Sequence, residues 1–174
     1  MGHVSSGSEV LINGATGGVG MFALQLAKQS GAQVTAVTNS TGISFARKWG
    51  ADQTIDYANQ NVLQGGKKFD LIFDLSGKMP FEEAKQILKN KGVFVNPTPK
   101  LIDIILTKFI NLLTSQKNVI LLTNPNETAI KALLAAIDKG LEIEVTRTFP
   151  FDKFSDAYQF AEKRSFIGKV VIEI

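Results

Sequence analysis

A glycine-rich segment near the start of the chain has the residue types and spacing to hold a phosphate group. Residues 14–20 read Gly-Ala-Thr-Gly-Gly-Val-Gly and follow an apolar run. Glycines let the chain reverse sharply after a strand, so that main-chain N–H groups and the positive end of the next helix face an anion. Against the pattern G-x-G-x-x-G, Ala15 replaces the first glycine, while Gly17 and Gly20 fit. The segment therefore predicts a pyrophosphate-binding turn, with a purely structural turn as the alternative.

The end of the second predicted strand lies about 20 residues further on, where NAD-binding sites carry an acidic residue for the ribose 2′-hydroxyl. Residues 38–41 read Thr-Asn-Ser-Thr, so this stretch offers no carboxylate to repel a 2′-phosphate. The hydroxyls of Ser40 and Thr41 are candidate phosphate ligands, and Arg47 and Lys48 are candidate sources of positive charge. The pattern favours NADP(H) over NAD(H), although the same hydroxyls also suit a simple helix cap.

These phosphate-binding residues require a strand-turn-helix frame, and the rest of the chain repeats that alternation. Short apolar runs alternate with longer segments of helical period, which is typical of βαβ units and a parallel sheet. The predicted strands are 9–13, 33–38, 53–57, 69–75, 92–97, 118–123 and 169–174, with a further extended segment at 142–148. The predicted helices are 21–30, 42–49, 80–91, 99–115 and 124–140, and a short one from Ser155. We therefore predict an α/β fold of the doubly wound Rossmann type, with about six parallel strands and helices on both faces.

Glycines and N-cap residues predict where the helices begin and end. Gly31, Gly50 and Gly92 each follow a helical segment, as C-terminal cap glycines do. Asn124-Pro125 has the form of an N-cap followed by a first-turn proline. Residues 1–8 are predicted to be a linker, and residues 9–174 one nucleotide-binding domain with a C-terminal extension.

Composition excludes several functions. The chain has no cysteine, which rules out disulfides, thiolate zinc sites and a cysteine nucleophile, and its single histidine lies in the predicted linker. The net charge of +3 is scattered and does not form the basic stripe of a nucleic-acid-binding surface. The most apolar stretch, 101–113, contains Asp103 and Lys108 and does not predict a membrane span. We assign no catalytic residue and no metal ligand here, and expect a cytoplasmic protein.

Several short segments of the sequence, taken in order, resemble the medium-chain dehydrogenase/reductase superfamily, and specifically its zinc-independent quinone-reductase branch. They are 9–12 leading into 14–20, 23–28, 48–52, 55–57, 69–74, 149–151 with 157–158, and 168–171. This resemblance implies an NADP(H)-binding domain of an oxidoreductase that transfers hydride to a quinone, enone or similar carbonyl acceptor. It also implies that an N-terminal, β-rich (GroES-like) catalytic domain is absent from this chain, and that the chain holds no zinc.

The resemblance also implies roles for individual residues along the cofactor. They are Thr16, Gly17, Gly18 and Val19 at the pyrophosphate, Asn39 and Ser40 at the adenosine ribose and its 2′-phosphate, Tyr57 beside that phosphate, and Leu75, Ser76, Val95 and Asn96 along the carboxyl edge of the sheet. One departure is Gly42, which stands where some quinone reductases carry a phosphate-binding lysine. Lys169 is interpreted as a solvated lysine at a strand start, with a cofactor contact as the alternative.

Two further functions are alternatives to a quinone-reductase domain. A short-chain reductase needs a Tyr-x-x-x-Lys pair, but Tyr57 is followed four residues later by Asn61, and Tyr158 by Glu162. A non-catalytic NADP(H)-binding or sensor module remains an alternative. In the family the strand at 118–122 pairs across a two-fold axis, and we therefore expect a homodimer through it, since an apolar edge strand seeks a partner.

Overall fold

A six-stranded parallel sheet forms the centre of the molecule, in a computed structural model that describes residues 4–97, 99, 107, 111–121, 126–163 and 166–174. The strand order is β3-β2-β1-β4-β5-β6, and every neighbouring pair is parallel. The strands are β1 (Glu9–Asn13), β2 (Gln33–Thr38), β3 (Gln53–Asp56), β4 (Phe69–Asp74), β5 (Leu88–Asn96) and β6 (Lys117–Ile120). The predicted Rossmann architecture is confirmed.

Helices cover both faces of this sheet. The described α-helices are α1 (Gly20–Gln29), α2 (Ile43–Lys48), α3 (Phe81–Ile87), α4 (Glu127–Asp138) and α5 (Phe154–Glu162). On one face, Val10 and Ile12 of β1 pack with α1 and α2, and the buried Trp49 lies 5.8 Å from Phe45, centroid to centroid. On the other face, Leu11 packs with α3. Since successive strand residues point to opposite faces, the apolar centre of β1, from Val10 to Ile12, is buried on both sides.

The C-terminal part forms a separate unit beside this sheet. Two parallel strands, β7 (Val145–Pro150) and β8 (Lys169–Glu173), make a second sheet of two strands, against which α5 packs. The buried Gln25 side chain of α1 accepts from the amide of Glu142 at 2.7 Å and donates to the carbonyl of Glu142 at 2.9 Å. These two bonds attach the start of the C-terminal unit to the helix that follows the glycine-rich turn.

Two predicted helix boundaries were wrong. The helix predicted to run to Lys91 ends at Ile87, because Leu88 is already extended and pairs with Phe69 as the start of β5. Lys91, with a left-handed φ of 63°, lies in an irregularity of this strand and not at a helix end. Helix α4 is capped by Asn126, whose side chain accepts from the amide of Ala129 at 2.9 Å, and not by Asn124. The pair Asn124-Pro125 and most of the predicted helix 99–115 lie outside the described residues, although 111–113 are helical.

The segment preceding β1 is more closely attached to the domain than expected of a linker. The amide of Gly7 donates to the carbonyl of Gly31 at 2.9 Å, and Val4 packs against the core beneath α1. Residues 4–8 are therefore part of the folded domain, while 1–3 lie outside the described residues. In the described part of the chain, no helix has the length and apolar character needed to cross a membrane.

Candidate functional site

The crevice between the carboxyl ends of β1 and β4 is the place where the strand order reverses direction, and open α/β sheets bind ligands at such a point. The turn at 14–20 leaves β1 there, and Leu75 and Ser76 leave β4 beside it. Gly14 has a φ of +83°, and a Cβ at this position would lie 3.4 Å from the amide nitrogen of Ser76. The two loops are thus in direct contact at the crevice.

Gly20 lets α1 begin directly against the preceding turn. A Cβ at Gly20 would lie 2.1 Å from the carbonyl oxygen of Gly14 and 2.6 Å from the carbonyl carbon of Ala15, so only glycine fits. Among the residues that the structure describes, the amides of Gly18 and Val19 donate to no protein acceptor. Unpaired amides at the N-terminus of a ten-residue helix form a site suited to an anion.

Thr16 contributes to this turn in a different way from its glycine neighbours. Its hydroxyl is buried and hydrogen bonded to the hydroxyl of Thr38 at the end of β2, and its carbonyl accepts from the amide of Gly168 at 2.9 Å. The side chain therefore joins β2 to the turn, while the main chain joins the turn to the C-terminal unit.

Two hollows lie at this edge of the sheet. A cleft of about 450 Å³ is lined by Gly14, Gly17, Gly18, Val19, Gly20, Phe73, Leu75, Pro97, Leu121 and Lys169. A second hollow of about 510 Å³ is lined by Asn13, Val37, Tyr57, Ala58, Asn59, Gln60, Asn61, Val62 and Gln64. The structure thus brings Gly17, Gly18, Val19 and Leu75 together in the first hollow and places Tyr57 in the second. Val95 and Asn96 lie on β5, where Val95 pairs with Phe73 of the first cleft.

The predicted 2′-phosphate residues form a tight turn after β2. The side-chain oxygen of Asn39 accepts from the amide of Gly42 at 2.9 Å and from the hydroxyl of Thr41 at 3.0 Å. The hydroxyl of Ser40 donates to the carboxylate of Asp56 at 2.6 Å. In the described part of the chain, the amides of Ser40 and Thr41 have no acceptor. The turn therefore offers free main-chain donors, while its Ser and Thr hydroxyls are already engaged.

Asp56 is a residue of this site that the sequence did not point to. The Ser40 hydroxyl, and then the amide of Ala58, donate to its carboxylate and hold the pKa of Asp56 below its ordinary value. The side-chain amide of Asn59 adds a third donor at 2.8 Å. A carboxylate thus lies beside Ser40, but it comes from β3 and not from the end of β2, where the spacing rule looks for it.

Neither position 42 nor Lys48 supplies positive charge at this turn. A side chain at Gly42 has no room, because a Cβ there would lie 2.1 Å from the Thr38 hydroxyl oxygen and 2.6 Å from that of Thr16. The glycine in place of lysine is therefore required by this packing. Lys48 does not serve the phosphate either, because its ammonium group pairs with the carboxylate of Glu142 at 2.6 Å.

Asp74, the last residue of β4, is a second residue of the site that the sequence did not point to. It is fully buried, and its Oδ1 accepts from the side-chain amide of Asn13 at 3.0 Å and from the Ser76 hydroxyl at 2.6 Å. Its Oδ2 accepts from the amide of Met79 at 3.0 Å. This carboxylate fixes the loop after β4, including Ser76, against the end of β1. A buried polar residue inside an apolar strand was the available signal.

No group of three or more His, Asp or Glu side chains that could hold a metal ion is present among the residues described. The arrangement is instead a cleft suited to an anion, with free amides at its centre, a polar turn after β2 at one end and apolar residues after β4 at the other.

Comparison with known proteins agrees with this geometry. A family model described as zinc-binding dehydrogenase matches residues 49–172, so the glycine-rich turn itself lies outside the matched part. A 2-methylene-furan-3-one reductase from Solanum lycopersicum is 34% identical over 97% of this chain and 41% of its own length. An NADPH-dependent alkenal/one oxidoreductase, chloroplastic, from Arabidopsis thaliana is 32% identical with the same coverage.

A solved quinone oxidoreductase from Coxiella burnetii superposes with a TM-score of 0.86 at 28% identity. The match covers 99% of this chain and 55% of that protein. The chain thus spans about two fifths of the curated relatives named above and about half of this structure.

Proposed function

Because the chain belongs to the zinc-binding dehydrogenase family, we propose that it is the NADP(H)-binding domain of an oxidoreductase that transfers hydride between nicotinamide and a quinone, enone or similar carbonyl acceptor. The observation that carries the proposal is the pair of unpaired amides, Gly18 and Val19, facing the crevice between β1 and β4. The names of the relatives support the proposed acceptor class, since they include a quinone oxidoreductase and two enone or alkenal reductases.

The proposed binding mode uses the residues in the order in which they lie along the crevice. Gly17, Gly18 and Val19 bind the pyrophosphate through their main chain, with Thr16 supporting the turn from behind. Asn39, Ser40 and Tyr57 face the adenosine end. Leu75, Ser76, Val95 and Asn96 border the nicotinamide end, where Pro97 and Leu121 add apolar wall.

The cofactor, when bound, supplies the hydride, and this chain's residues position it. Main-chain donors that are fixed before binding cost no reorganisation. Apolar Leu75, Pro97 and Leu121 keep water away from one end of the cleft. The described residues place no acid or base at the cleft other than Lys169, so the domain's role is orientation, which is consistent with chemistry carried by the cofactor.

We infer a preference for NADP(H) over NAD(H) from the turn after β2. The free amides of Ser40 and Thr41 and the exposed Tyr57 are suited to a 2′-phosphate. The Asp56 carboxylate opposes it, but three local donors already satisfy that charge. One of the relatives is named as NADPH-dependent, which supports the same cofactor preference. Zinc has no proposed place in this chain.

Side-by-side titration with NADPH and NADH tests the proposal. We expect NADPH to bind more tightly to the unmodified chain, and Tyr57→Phe and Ser40→Ala to reduce that difference. Ser44→Ala removes a hydroxyl from an exposed position of α2 and is the matched control. Equal affinity for both nucleotides, with neither variant having an effect, would show the 2′-phosphate assignment to be wrong. No binding of either nucleotide would refute the proposed function itself.

The non-catalytic alternative is separated by turnover. We expect this 174-residue chain on its own to bind NADPH without appreciable quinone reduction, since it spans only part of its relatives. Steady-state NADPH oxidation with a quinone by the chain alone would contradict this expectation.

We also propose a homodimer through the edge strand at 118–122. In the described sheet β6 pairs only with β5, which leaves its other edge open. The amide of Leu121 donates to Asn96 of β5 at 3.2 Å, so the amide of Ile120 points to the open edge. Ile120→Pro removes that outer donor without touching the Leu121 bond. We expect the unmodified chain to sediment as a dimer and this variant as a folded monomer; a monomeric unmodified chain would contradict the proposal.

A further inference from the structure

The C-terminal unit contributes one positively charged side chain to the glycine-rich turn. Lys169, the first residue of β8, lines the same cleft as Gly17, Gly18 and Val19. A Cβ at Gly18 would lie 3.3 Å from both Cδ and Nζ of Lys169 and 3.1 Å from the carbonyl oxygen of Gly168. The lysine therefore lies against the turn along its stem and its ammonium group, and a side chain at Gly18 would crowd this approach.

The main chain on both sides of Lys169 is held in place. The amide of Gly168 donates to the carbonyl of Thr16 at 2.9 Å, and the amide of Lys169 donates to the carbonyl of Glu144 at 2.9 Å. Gly168 has a φ of +77°, and a Cβ there would lie 2.3 Å from the Glu144 carbonyl oxygen. These contacts hold the backbone that enters β8, and from there the Lys169 side chain lies against the turn.

The Lys169 ammonium group lies beside an aromatic ring. Its Nζ lies 5.5 Å from the centroid of the Phe22 ring, on the first turns of α1. Among the described residues, no carboxylate lies within ion-pair distance of Lys169, whereas Lys28 and Lys48 are paired with Asp52 and Glu142. A cation without an acidic partner thus shares a cleft with main-chain amides that have no acceptor.

We propose that Lys169 is a phosphate-binding residue, whose ammonium group contacts the pyrophosphate of the dinucleotide on the turn at 14–20. Two unpaired amides and one unpaired cation then converge on one anion from opposite walls of the cleft. This replaces the interpretation of Lys169 as a solvated lysine, and it makes the C-terminal unit a wall of the cofactor site. The inference rests on the proposed function, because it assumes that a dinucleotide binds there.

The test compares ligands with and without a pyrophosphate. NADPH, 2′-phospho-ADP-ribose and adenosine 2′-monophosphate are titrated by calorimetry into the unmodified chain, Lys169→Gln, Lys169→Arg and Lys153→Gln. The last variant removes the same charge from an exposed position of the same unit. Because a charge-assisted hydrogen bond is lost, we expect Lys169→Gln to weaken NADPH and 2′-phospho-ADP-ribose at least about tenfold. We expect Lys169→Arg and Lys153→Gln to bind both ligands nearly as the unmodified chain does.

Adenosine 2′-monophosphate carries no pyrophosphate, so its affinity should be nearly the same for all four proteins. A structural role of Lys169 would instead weaken all three ligands together, and that result would overturn the proposal. Equal NADPH affinity in Lys169→Gln and the unmodified chain would also overturn it, while leaving the proposed function intact. If the unmodified chain binds none of the ligands, the proposed function fails and this inference fails with it.

Discussion

Replacing Gly20 by alanine is the most direct test of how the cofactor turn is built. The added methyl carbon would lie 2.1 Å from the Gly14 carbonyl oxygen and 2.6 and 2.8 Å from the carbonyl carbon and Cα of Ala15. All three are main-chain atoms, which cannot rotate away as a side chain does. Either α1 or the turn before it must therefore move.

The size of the effect follows from these contacts. Overpacking of a folded interior costs about 1–3 kcal/mol, and contacts with main chain belong at the upper end. Gly20 is the first residue of α1, so the better helix propensity of alanine offsets at most about 1 kcal/mol. We expect a net loss of about 2 kcal/mol in the free energy of unfolding. In a domain of this size that lowers the Tm by about 4–8 °C.

Cofactor affinity is expected to fall as well, since moving the turn displaces the amides of Gly18 and Val19. Loss of one charge-assisted hydrogen bond weakens NADPH binding at least about tenfold. Thermal unfolding and NADPH titration measure the two effects. Gly65→Ala is the matched control, because Gly65 has an ordinary φ of −75° and its nearest contact would be Val62 O at 3.7 Å. An unchanged Tm and unchanged affinity in Gly20→Ala would refute this account of the turn.

Three further variants test the surroundings of the turn. Gly42→Ala forces a methyl group onto the Thr38 hydroxyl, so we expect it to lower the Tm, measured by thermal unfolding, without any gain in NADPH affinity. Asp74→Ala leaves buried donors without an acceptor, and we expect a loss of about 3 kcal/mol or more in urea unfolding. Ser40→Ala removes the donor that lowers the pKa of Asp56, and we expect carboxyl NMR titration to show that pKa rising toward its ordinary value.

The lowered pKa of Asp56 determines how the stability of the fold depends on pH. Because the folded pKa of Asp56 is lowered, its carboxylate stabilises the fold above the ordinary Asp pKa of about 4, and this contribution is lost as the pH falls through the folded value. With Ser40→Ala this contribution is smaller, and its loss is complete at a higher pH. An Asp56 pKa that is identical in both proteins would contradict the hydrogen bond. A Gly42→Ala chain as stable as the unmodified one, or a harmless Asp74→Ala, would contradict the packing arguments.

Local patterns were enough to predict the order and approximate positions of the strands and the glycine-rich turn, although β5 begins at Leu88 and not at Gly92. The apolar run at Val10, Leu11 and Ile12 predicts a strand buried on both faces, and the structure confirms this prediction. The spacing of Gly17 and Gly20 likewise depends on contacts within the turn, and these are encoded in neighbouring residues.

Features that depend on distant residues were not predictable in this way. Ser40 and Asp56 belong to different strand-helix units, and only the parallel pairing of β2 and β3 brings them together. The pairing of Lys48 with Glu142 depends on how the C-terminal unit packs. The predicted end of α3 was wrong for a local reason. β5 begins at Leu88 and continues through Lys91, which takes a left-handed conformation that sequence rules reserve for glycine.

The bond from Gly168 to the carbonyl of Thr16 joins the last strand to the first loop. The turn at 14–20 is synthesised long before Gly168, so this contact can form only after the segment between them has been made. Contacts between residues so far apart in sequence form slowly, since the entropy of closing the loop opposes them. During translation, β1, the turn and α1 can therefore form first, whereas the cleft wall that contains Gly168 is completed only after β8 has been synthesised.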